Sequence, residues 1–218
     1  MPTRPAAMKN SLRRLCVITP DSSDIHALIG ELRVALEAGV RWVQFRRKNG
    51  ASRQLYYEAR EIRKLTYKYG ALFIVNDFAD IALAVEADGL HVGQDDMPLA
   101  EARKLMVNRI VGVSTHNLSE ANEAERGGAD YIGFGPIFQT LTKETGSPQG
   151  PESLEKIADS VSIPVIAIGG ITVDNSNSVL SAGSYGIAVS SGIFRGQITA
   201  NVTGFLYNII RLKGGDWA

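Results

Sequence analysis

The sequence has 218 residues, of which 44% are hydrophobic, so the chain is long enough to bury one sizeable core. Lysine plus arginine and aspartate plus glutamate both number 23, and this balance leaves no charge excess that would indicate binding to nucleic acid or to an anionic membrane. We therefore expect small molecules as the partners of this protein, with no nucleic acid and no membrane among them.

The amino-terminal residues 1–14 contain several proline, alanine and arginine residues and are predicted to form a loose tail. No apolar run follows them that would serve as the core of a signal peptide, and the longest apolar stretches have the length of strands. The single cysteine, Cys16, has no partner for an internal disulfide, which is typical of the reducing cytoplasm. We expect a cytoplasmic protein, and its oligomeric state, a homo-oligomer included, stays open.

Beyond the tail, short apolar runs alternate with segments whose apolar residues recur every three or four positions, which are the patterns of buried strands and amphipathic helices. Strands are predicted at residues 15–19, 42–45, 72–75, 90–92, 109–113, 131–134, 164–168 and 187–189. Helices are predicted at residues 24–38, 52–69, 81–85, 98–105, 119–127, 153–161, 175–182 and 199–212. Ser119 is the expected N-cap of the fifth helix.

Strand and helix alternate without a change in composition, in units of roughly 25 residues, which predicts an α/β fold of the (β/α)₈ TIM barrel class. We expect this barrel to occupy residues 15–218 as a single catalytic domain. A doubly wound open sheet is the alternative. In a closed barrel the carboxyl ends of all strands form one rim, so the polar residues that follow the strands should meet there.

Strand two is followed by a basic stretch. Gln44, Arg46 and Lys48 alternate onto one side, so an amide and two cations would enter the rim together, a combination that suits a polyphosphate. The alternative is a solvated run of charges at the start of a loop.

Strands three and four are followed by Asn76, Asp77 and Asp96. A right-handed crossover makes these strands parallel neighbours, so the two carboxylates should reach one part of the rim. There they would share Mg²⁺, which takes one or two carboxylates and completes its shell with water and phosphate oxygens. The alternative for Asp77 is that it caps the following helix.

Strands five and six supply further polar groups. Ser114 ends strand five, where its hydroxyl would donate to a phosphate or a heterocycle. The connection 135–150 after strand six is unusually long, and such loops are usually functional. Thr140 and Thr142 alternate onto one side of it and Lys143 adds a cation, which predicts a lid over bound ligands. The alternative is a mobile surface loop.

Small residues after strands seven and eight predict a phosphate site, because a phosphate can approach the backbone N–H groups of Gly169, Gly170, Ser190 and Ser191 without obstruction. The alternative is that the glycines only permit tight turns. With the cations and carboxylates across the same rim, one ligand would carry a monophosphate and the other a diphosphate. Such a pair suits transfer of a group from a diphosphate to a phosphorylated acceptor.

Six motifs make the chain resemble the thiamine phosphate synthase family from about residue 15 to residue 194. They are QFRRK (44–48), VND (75–77), ADGLHVGQDD (87–96), GVSTH (112–116), GPIFQTLTK (135–143) and IAIGGI (166–171). The resemblance implies a (β/α)₈ barrel that joins 4-amino-2-methyl-5-hydroxymethylpyrimidine diphosphate to thiazole phosphate and releases pyrophosphate. It also implies a dissociative mechanism, in which a pyrimidine cation forms before the thiazole attacks.

The resemblance assigns roles to individual residues. The pyrimidine diphosphate would be held by Gln44, Arg46, Lys48, Asn76, Ser114 and Lys143. The thiazole phosphate would be held by Thr140, Thr142, Gly170, Ser190 and Ser191. Mg²⁺ would be bound by Asp77 and Asp96. The catalytic residues would be Arg46, Lys48, Ser114 and Lys143.

The chain departs from the family at a few positions. It has Arg47 where the family commonly has an acidic residue, and Phe78 where the family commonly has an arginine. The main alternative is the related thiazole tautomerase, an isomerase on the same barrel, in which a histidine stands where this chain has Pro136 and which lacks the full set of metal and cation residues. A second alternative is a non-catalytic barrel that binds phosphate ligands.

Overall fold

Eight parallel strands close into a barrel within the described residues, which are 14–22, 24–140 and 147–213 of this computed structural model. The strands are β1 (Leu15–Ile18), β2 (Trp42–Phe45), β3 (Leu72–Asn76), β4 (Gly89–Val92), β5 (Ile110–Thr115), β6 (Tyr131–Phe134), β7 (Val165–Ile168) and β8 (Gly186–Val189). They follow chain order around the barrel, and β1 pairs with β8 to close it. This closure confirms the (β/α)₈ prediction and rules out the open sheet.

Helices connect the strands on the outside of the barrel. They are α1 (Ile25–Glu37), α2 (Ser52–Lys68), α3 (Ala79–Ala84), α4 (Leu99–Leu105), α5 (Leu118–Arg126), α6 (Gly150–Ser160), α7 (Ser176–Ser181), α8 (Ser191–Phe194) and α9 (Ile198–Lys213). The last helix, α9, packs against α7 and α1 and so joins the two ends of the chain's helical ring. Over the part of the chain that the structure describes, no helix is both long and apolar enough to cross a membrane.

Side chains of different residues cap the amino-terminal ends of α1 and α5, and the sequence pattern predicted the wrong cap for α5. Asp24 caps α1, since its Oδ1 accepts hydrogen bonds from the backbone N–H groups of His26 at 2.9 Å and Ala27 at 3.0 Å. The predicted cap Ser119 is wrong. Asn117 has the extended backbone that an N-cap needs, with φ −155°, and its side chain accepts from the backbone N–H of Glu120. Ser119 already lies inside the helix.

The alternation of side chains along each strand divides the core into two layers. Leu15 and Val17 of β1 face the helices, in the larger cluster, whereas Cys16 and Ile18 point into the barrel. Trp42 and Tyr131 fill the interior with their ring planes at 89° and centroids 5.1 Å apart. These buried rings form an apolar floor beneath the carboxyl ends of the strands.

The interior becomes polar toward the carboxyl ends. Gln44 stands two residues after Trp42 on β2, and Asn76 and His91 occupy paired positions on β3 and β4. All three polar side chains are buried. A buried polar group is costly unless it is hydrogen-bonded, so this layer above the floor is where a ligand-binding site is expected.

Gly112 of β5 allows the ring of Tyr131 to lie against the strand, because an added Cβ would overlap the ring. We expect Gly112→Ala to lower the free energy of unfolding by about 1–3 kcal/mol, the usual cost of overpacking. Gly30 of α1 is exposed, and no atom lies within 4 Å of a Cβ added there. Gly30→Ala should therefore raise the free energy of unfolding by about 0.5–1 kcal/mol. Urea unfolding of both variants tests this pair, and an equal effect of the two would contradict it.

Candidate active site

A cavity of about 400 Å³ opens at the carboxyl ends of the strands, above the polar layer. The predicted site residues that line it are Gln44, Arg46, Lys48, Asn76, Ser114, Thr140, Gly170, Ser190 and Ser191, together with Gly169. Asp77 and Asp96 are absent from the lining and lie next to it. Thr142 and Lys143 fall outside the described residues. The barrel thus brings residues from most of its strands into one cavity.

The basic stretch after β2 is split between two environments. Gln44, Arg46 and Lys48 line the cavity, as the alternation predicted. Arg47 points the other way, is buried, and forms an ion pair with Glu58 of α2 at 2.9 Å. The stretch is therefore not a solvated charge run, although Lys48 itself is exposed.

The carboxyl groups of Asp77 and Asp96 are in hydrogen-bonding contact. Burial, and next to it the contact with Asp96 and its negative charge, together raise the pKa of Asp77 from 3.8 to about 7, and the positive charge of Arg46 opposes the rise. Asp96 Oδ2 also accepts from the backbone N–H of Gly93 at 2.7 Å. The alternative that Asp77 caps α3 is wrong, because Phe78 occupies the N-cap position and no side chain caps that helix.

Two ionised carboxylates in contact repel each other, and a divalent cation between them would remove that repulsion. In the ranges that the structure describes, no group of three or more acidic, histidine or cysteine side chains lies together as a metal site. A pair of carboxylates beside a cavity lined by Arg46 and Lys48 fits Mg²⁺, which takes few protein ligands and fills its shell with water and phosphate oxygens.

A hydrogen-bonded chain that the sequence analysis missed runs beneath the cavity. His91 Nε2 lies 2.9 Å from Ser114 Oγ, and His91 Nδ1 lies 2.9 Å from the hydroxyl of Tyr131. Gln44 in turn hydrogen-bonds Tyr131. The signal was present in β4, where a lone histidine interrupts an apolar strand at an inward-facing position.

The direction of this chain follows from its donors. Burial raises the pKa of Tyr131 well above its usual value, so the phenol stays protonated. When the amide of Gln44 donates to this hydroxyl, the hydroxyl can donate to Nδ1 of a neutral His91, and in that tautomer Nε2–H donates to Ser114 Oγ. The hydroxyl proton of Ser114 is then available to a ligand in the cavity. The side-chain amide of Gln94 also holds Ser114 in place, because its Nε2 donates to the backbone carbonyl oxygen of Ser114 at 2.6 Å.

The opposite side of the cavity is built from small residues. Gly169 and Gly170 follow β7 with φ of +100° and +64°, a left-handed conformation that favours glycine. A Cβ on Gly170 would lie 2.5 Å from the carbonyl oxygen of Gln139, so these glycines also let the connection after β6 pack closely. The glycines therefore permit a tight turn, which was the alternative to a phosphate site. They also line the cavity beside Ser190 and Ser191.

Comparison of the sequence with protein families finds a match over residues 15–193 to the family described as thiamine monophosphate synthase. A thiamine-phosphate synthase of Chloroflexus aurantiacus is 52% identical over 163 residues, which are 74% of this chain and 76% of that protein. One of Pyrococcus furiosus is 45% identical over 182 residues, which are 84% of this chain and 88% of that protein.

Comparison of the fold agrees with these matches. The solved structure of a thiamine phosphate pyrophosphorylase from Pyrococcus furiosus superposes with a TM-score of 0.85 at 40% sequence identity. The superposition covers 94% of this chain and 98% of that one. A 3-hexulose-6-phosphate synthase superposes with a TM-score of 0.69 at 16% identity, and this likeness is one of fold alone.

The raised pKa of Asp77 predicts how stability depends on pH without metal. The folded state keeps a proton that the unfolded state has lost, so stability should fall as pH rises from about 4 through 7. Asp77→Asn removes the charge, and asparagine tolerates the φ of 66° at this position. In EDTA at pH 8 we expect the variant to be more stable than wild type by about 1–2 kcal/mol, part of the effect being screened by solvent.

Urea unfolding at pH 5 and pH 8 measures this difference, which should shrink at the lower pH. Asp95→Asn, at the exposed neighbouring carboxylate, is the control and should leave the stability almost unchanged at both pH values. A variant at position 77 that is no more stable than wild type at pH 8 would show that neither burial nor Asp96 disfavours the ionised form of Asp77.

Proposed function

This chain belongs to the thiamine monophosphate synthase family, and we propose that it joins hydroxymethylpyrimidine diphosphate to thiazole phosphate with release of pyrophosphate. It is accordingly a transferase that acts on small molecules. The observation that carries the proposal is the pairing of two anion-binding surfaces in one cavity, cationic side chains after β2 and small residues after β7 and β8.

The diphosphate belongs on the side of β2. Arg46 and Lys48 line that side, and their charges would neutralise the negative charge that grows on the leaving oxygen as its bond to carbon breaks. Lys143, which lies outside the described residues, would add a third cation, as the family resemblance implies. Asn76 is buried at the end of β3, where its amide would bind a phosphate oxygen.

Asp77 and Asp96 would hold Mg²⁺ next to this group. The metal, when bound, supplies a Lewis acid that shields the diphosphate and stabilises its departure. The contact between the two carboxyl groups and the electrostatic influence of Arg46 on Asp77 support this assignment.

The pyrimidine would occupy the deeper, polar end of the cavity. Gln44 and Ser114 line it, and both belong to the chain through Tyr131 and His91 that fixes their orientation. Hydrogen bonds from fixed groups would hold the aminopyrimidine while its ring stabilises the positive methylene group that forms. The buried floor beneath keeps water from approaching that cation from below, which limits its hydrolysis.

The thiazole phosphate would lie against Gly170, Ser190 and Ser191, with Thr140 and Thr142 from the long connection. Its nitrogen attacks the cation directly, so the reaction needs position more than a general base. The four catalytic residues that the family resemblance implies accordingly include no histidine. Pro136 lines the cavity at the position where the tautomerase has a histidine, which supports the transferase over that isomerase. We also propose a cytoplasmic location, which the single cysteine supports.

The proposed reaction is tested by pyrophosphate release from the purified protein with both substrates and Mg²⁺. We expect release that requires both substrates and stops when a chelator removes the metal. Omission of either substrate is the control. No release, with thiazole phosphate still bound in calorimetry, would instead favour the tautomerase or a binding protein.

The metal assignment is tested at position 96, where asparagine keeps an oxygen that can accept the bond from Gly93. We expect Asp96→Asn to lower Mg²⁺-dependent turnover at least about 100-fold, because one of the two anionic ligands is lost. Its melting temperature in EDTA should be unchanged or higher. Asp95→Asn is the matched control and should turn over at a rate close to that of wild type. Equal activity of the two variants would contradict the metal site.

A further inference from the structure

Arg46 lies just beyond the hydrogen-bonded part of β2. The pairing of β2 with β1 ends at Gln44 opposite Ile18, and its pairing with β3 ends at Phe45 opposite Val75. Arg46, which must place its guanidinium in the cavity, is therefore not hydrogen-bonded as part of either strand pairing of β2. A side chain can be aimed reliably only from a fixed backbone, so something else must hold this position.

The side chain of Thr19 provides that support. Its hydroxyl accepts a hydrogen bond from the backbone N–H of Arg46 at 2.9 Å and donates one to the carbonyl oxygen of Arg46 at 3.1 Å. The backbone N–H of Thr19 also donates to the carbonyl of Gln44 at 3.0 Å. Thr19 is only 2% exposed, so water cannot readily replace its hydroxyl. One side chain thus occupies both backbone groups that a neighbouring strand would otherwise pair.

The next residue is held from the outside of the barrel. Arg47 pairs with Glu58 at 2.9 Å, and Gln54 donates to the same carboxylate oxygen at 2.8 Å. Arg47 also reaches Asp21, in the segment that follows Thr19, at 3.4 Å. While Arg47 is anchored outward, Arg46 and Lys48 on either side of it line the cavity.

We propose that Thr19 is a positioning residue for the diphosphate, acting through Arg46. This rests on the proposed function, in which Arg46 binds the diphosphate of the pyrimidine substrate. Thr19 contributes to the reaction by fixing the backbone from which the guanidinium reaches. The strand that precedes Thr19, β1, also pairs with β8, but both hydrogen bonds of the Thr19 hydroxyl go to Arg46, so the thiazole phosphate site is expected to depend on it much less.

The experiment compares Thr19→Val, which keeps the shape and removes the hydroxyl, with Thr19→Ser, which keeps the hydroxyl. We expect valine to raise the KM for the pyrimidine diphosphate about tenfold, as loss of two hydrogen bonds implies. The KM for thiazole phosphate should change less than about twofold. Serine should restore the KM for the diphosphate substrate. The control is Thr66→Val at another buried threonine, whose hydroxyl bonds a backbone carbonyl in α2 away from the cavity.

A double-mutant cycle with Arg46→Ala separates positioning from a general loss of structure. If Thr19 acts through Arg46, the effect of Thr19→Val on the KM for the diphosphate substrate should disappear in the Arg46→Ala background. Additive effects would overturn the proposal, as would a parallel rise in both KM values or a serine variant as impaired as the valine variant. If valine prevents folding, Thr19→Ala, which removes the same hydroxyl without placing a methyl group where it was, is expected to fold with the same selective loss.

Calorimetry with inorganic pyrophosphate and Mg²⁺ gives a readout that does not need turnover. We expect Thr19→Val to weaken pyrophosphate binding about tenfold and Thr19→Ser to leave it close to wild type. If the wild type shows no turnover, the proposed function fails, yet the difference between these two variants still decides whether Thr19 positions an anion site. Equal binding by both variants would contradict the positioning role.

Discussion

The hydrogen bonds between β1 and β8 are the constraint on which the site depends, since they convert a row of parallel strands into a closed ring. Once the ring is closed, all strands end at one rim, and polar residues that are far apart in the chain become neighbours. Arg46 and Gly170, which follow β2 and β7, line one cavity for this reason. An open sheet of the same strands would leave the two anion-binding surfaces on separate parts of the molecule.

The second determinant is the order of layers inside the barrel. Trp42 and Tyr131 close the interior with apolar surface, and Gln44 and His91 form the layer above them. Burying polar groups there is tolerated because they bond to one another, from Gln44 through Tyr131 and His91 to Ser114. Groups already fixed by such bonds need little reorganisation when a ligand arrives, which is the basis of electrostatic preorganisation.

Much of this arrangement was predictable from local pattern. Short apolar runs located the strands, and alternation after β2 correctly placed Gln44, Arg46 and Lys48 on the cavity side, whereas the roles of these residues remain predictions. Local pattern failed at the start of α5, where Ser119 was the expected cap and the side chain of Asn117, two residues earlier, makes the capping bond. The assignment of Mg²⁺ to the two carboxylates also remains a prediction, and their contact supports it.

Residue pattern establishes which positions are strands, which side chains face the interior and which family motifs are present, because these depend on neighbours only a few positions away. It does not reveal contacts between distant segments. Thr19 and Arg46, 27 residues apart, and His91 and Ser114, 23 residues apart, meet only when the sheet forms. The raised pKa of Asp77 likewise requires burial and a second carboxyl group, and both arise from tertiary structure.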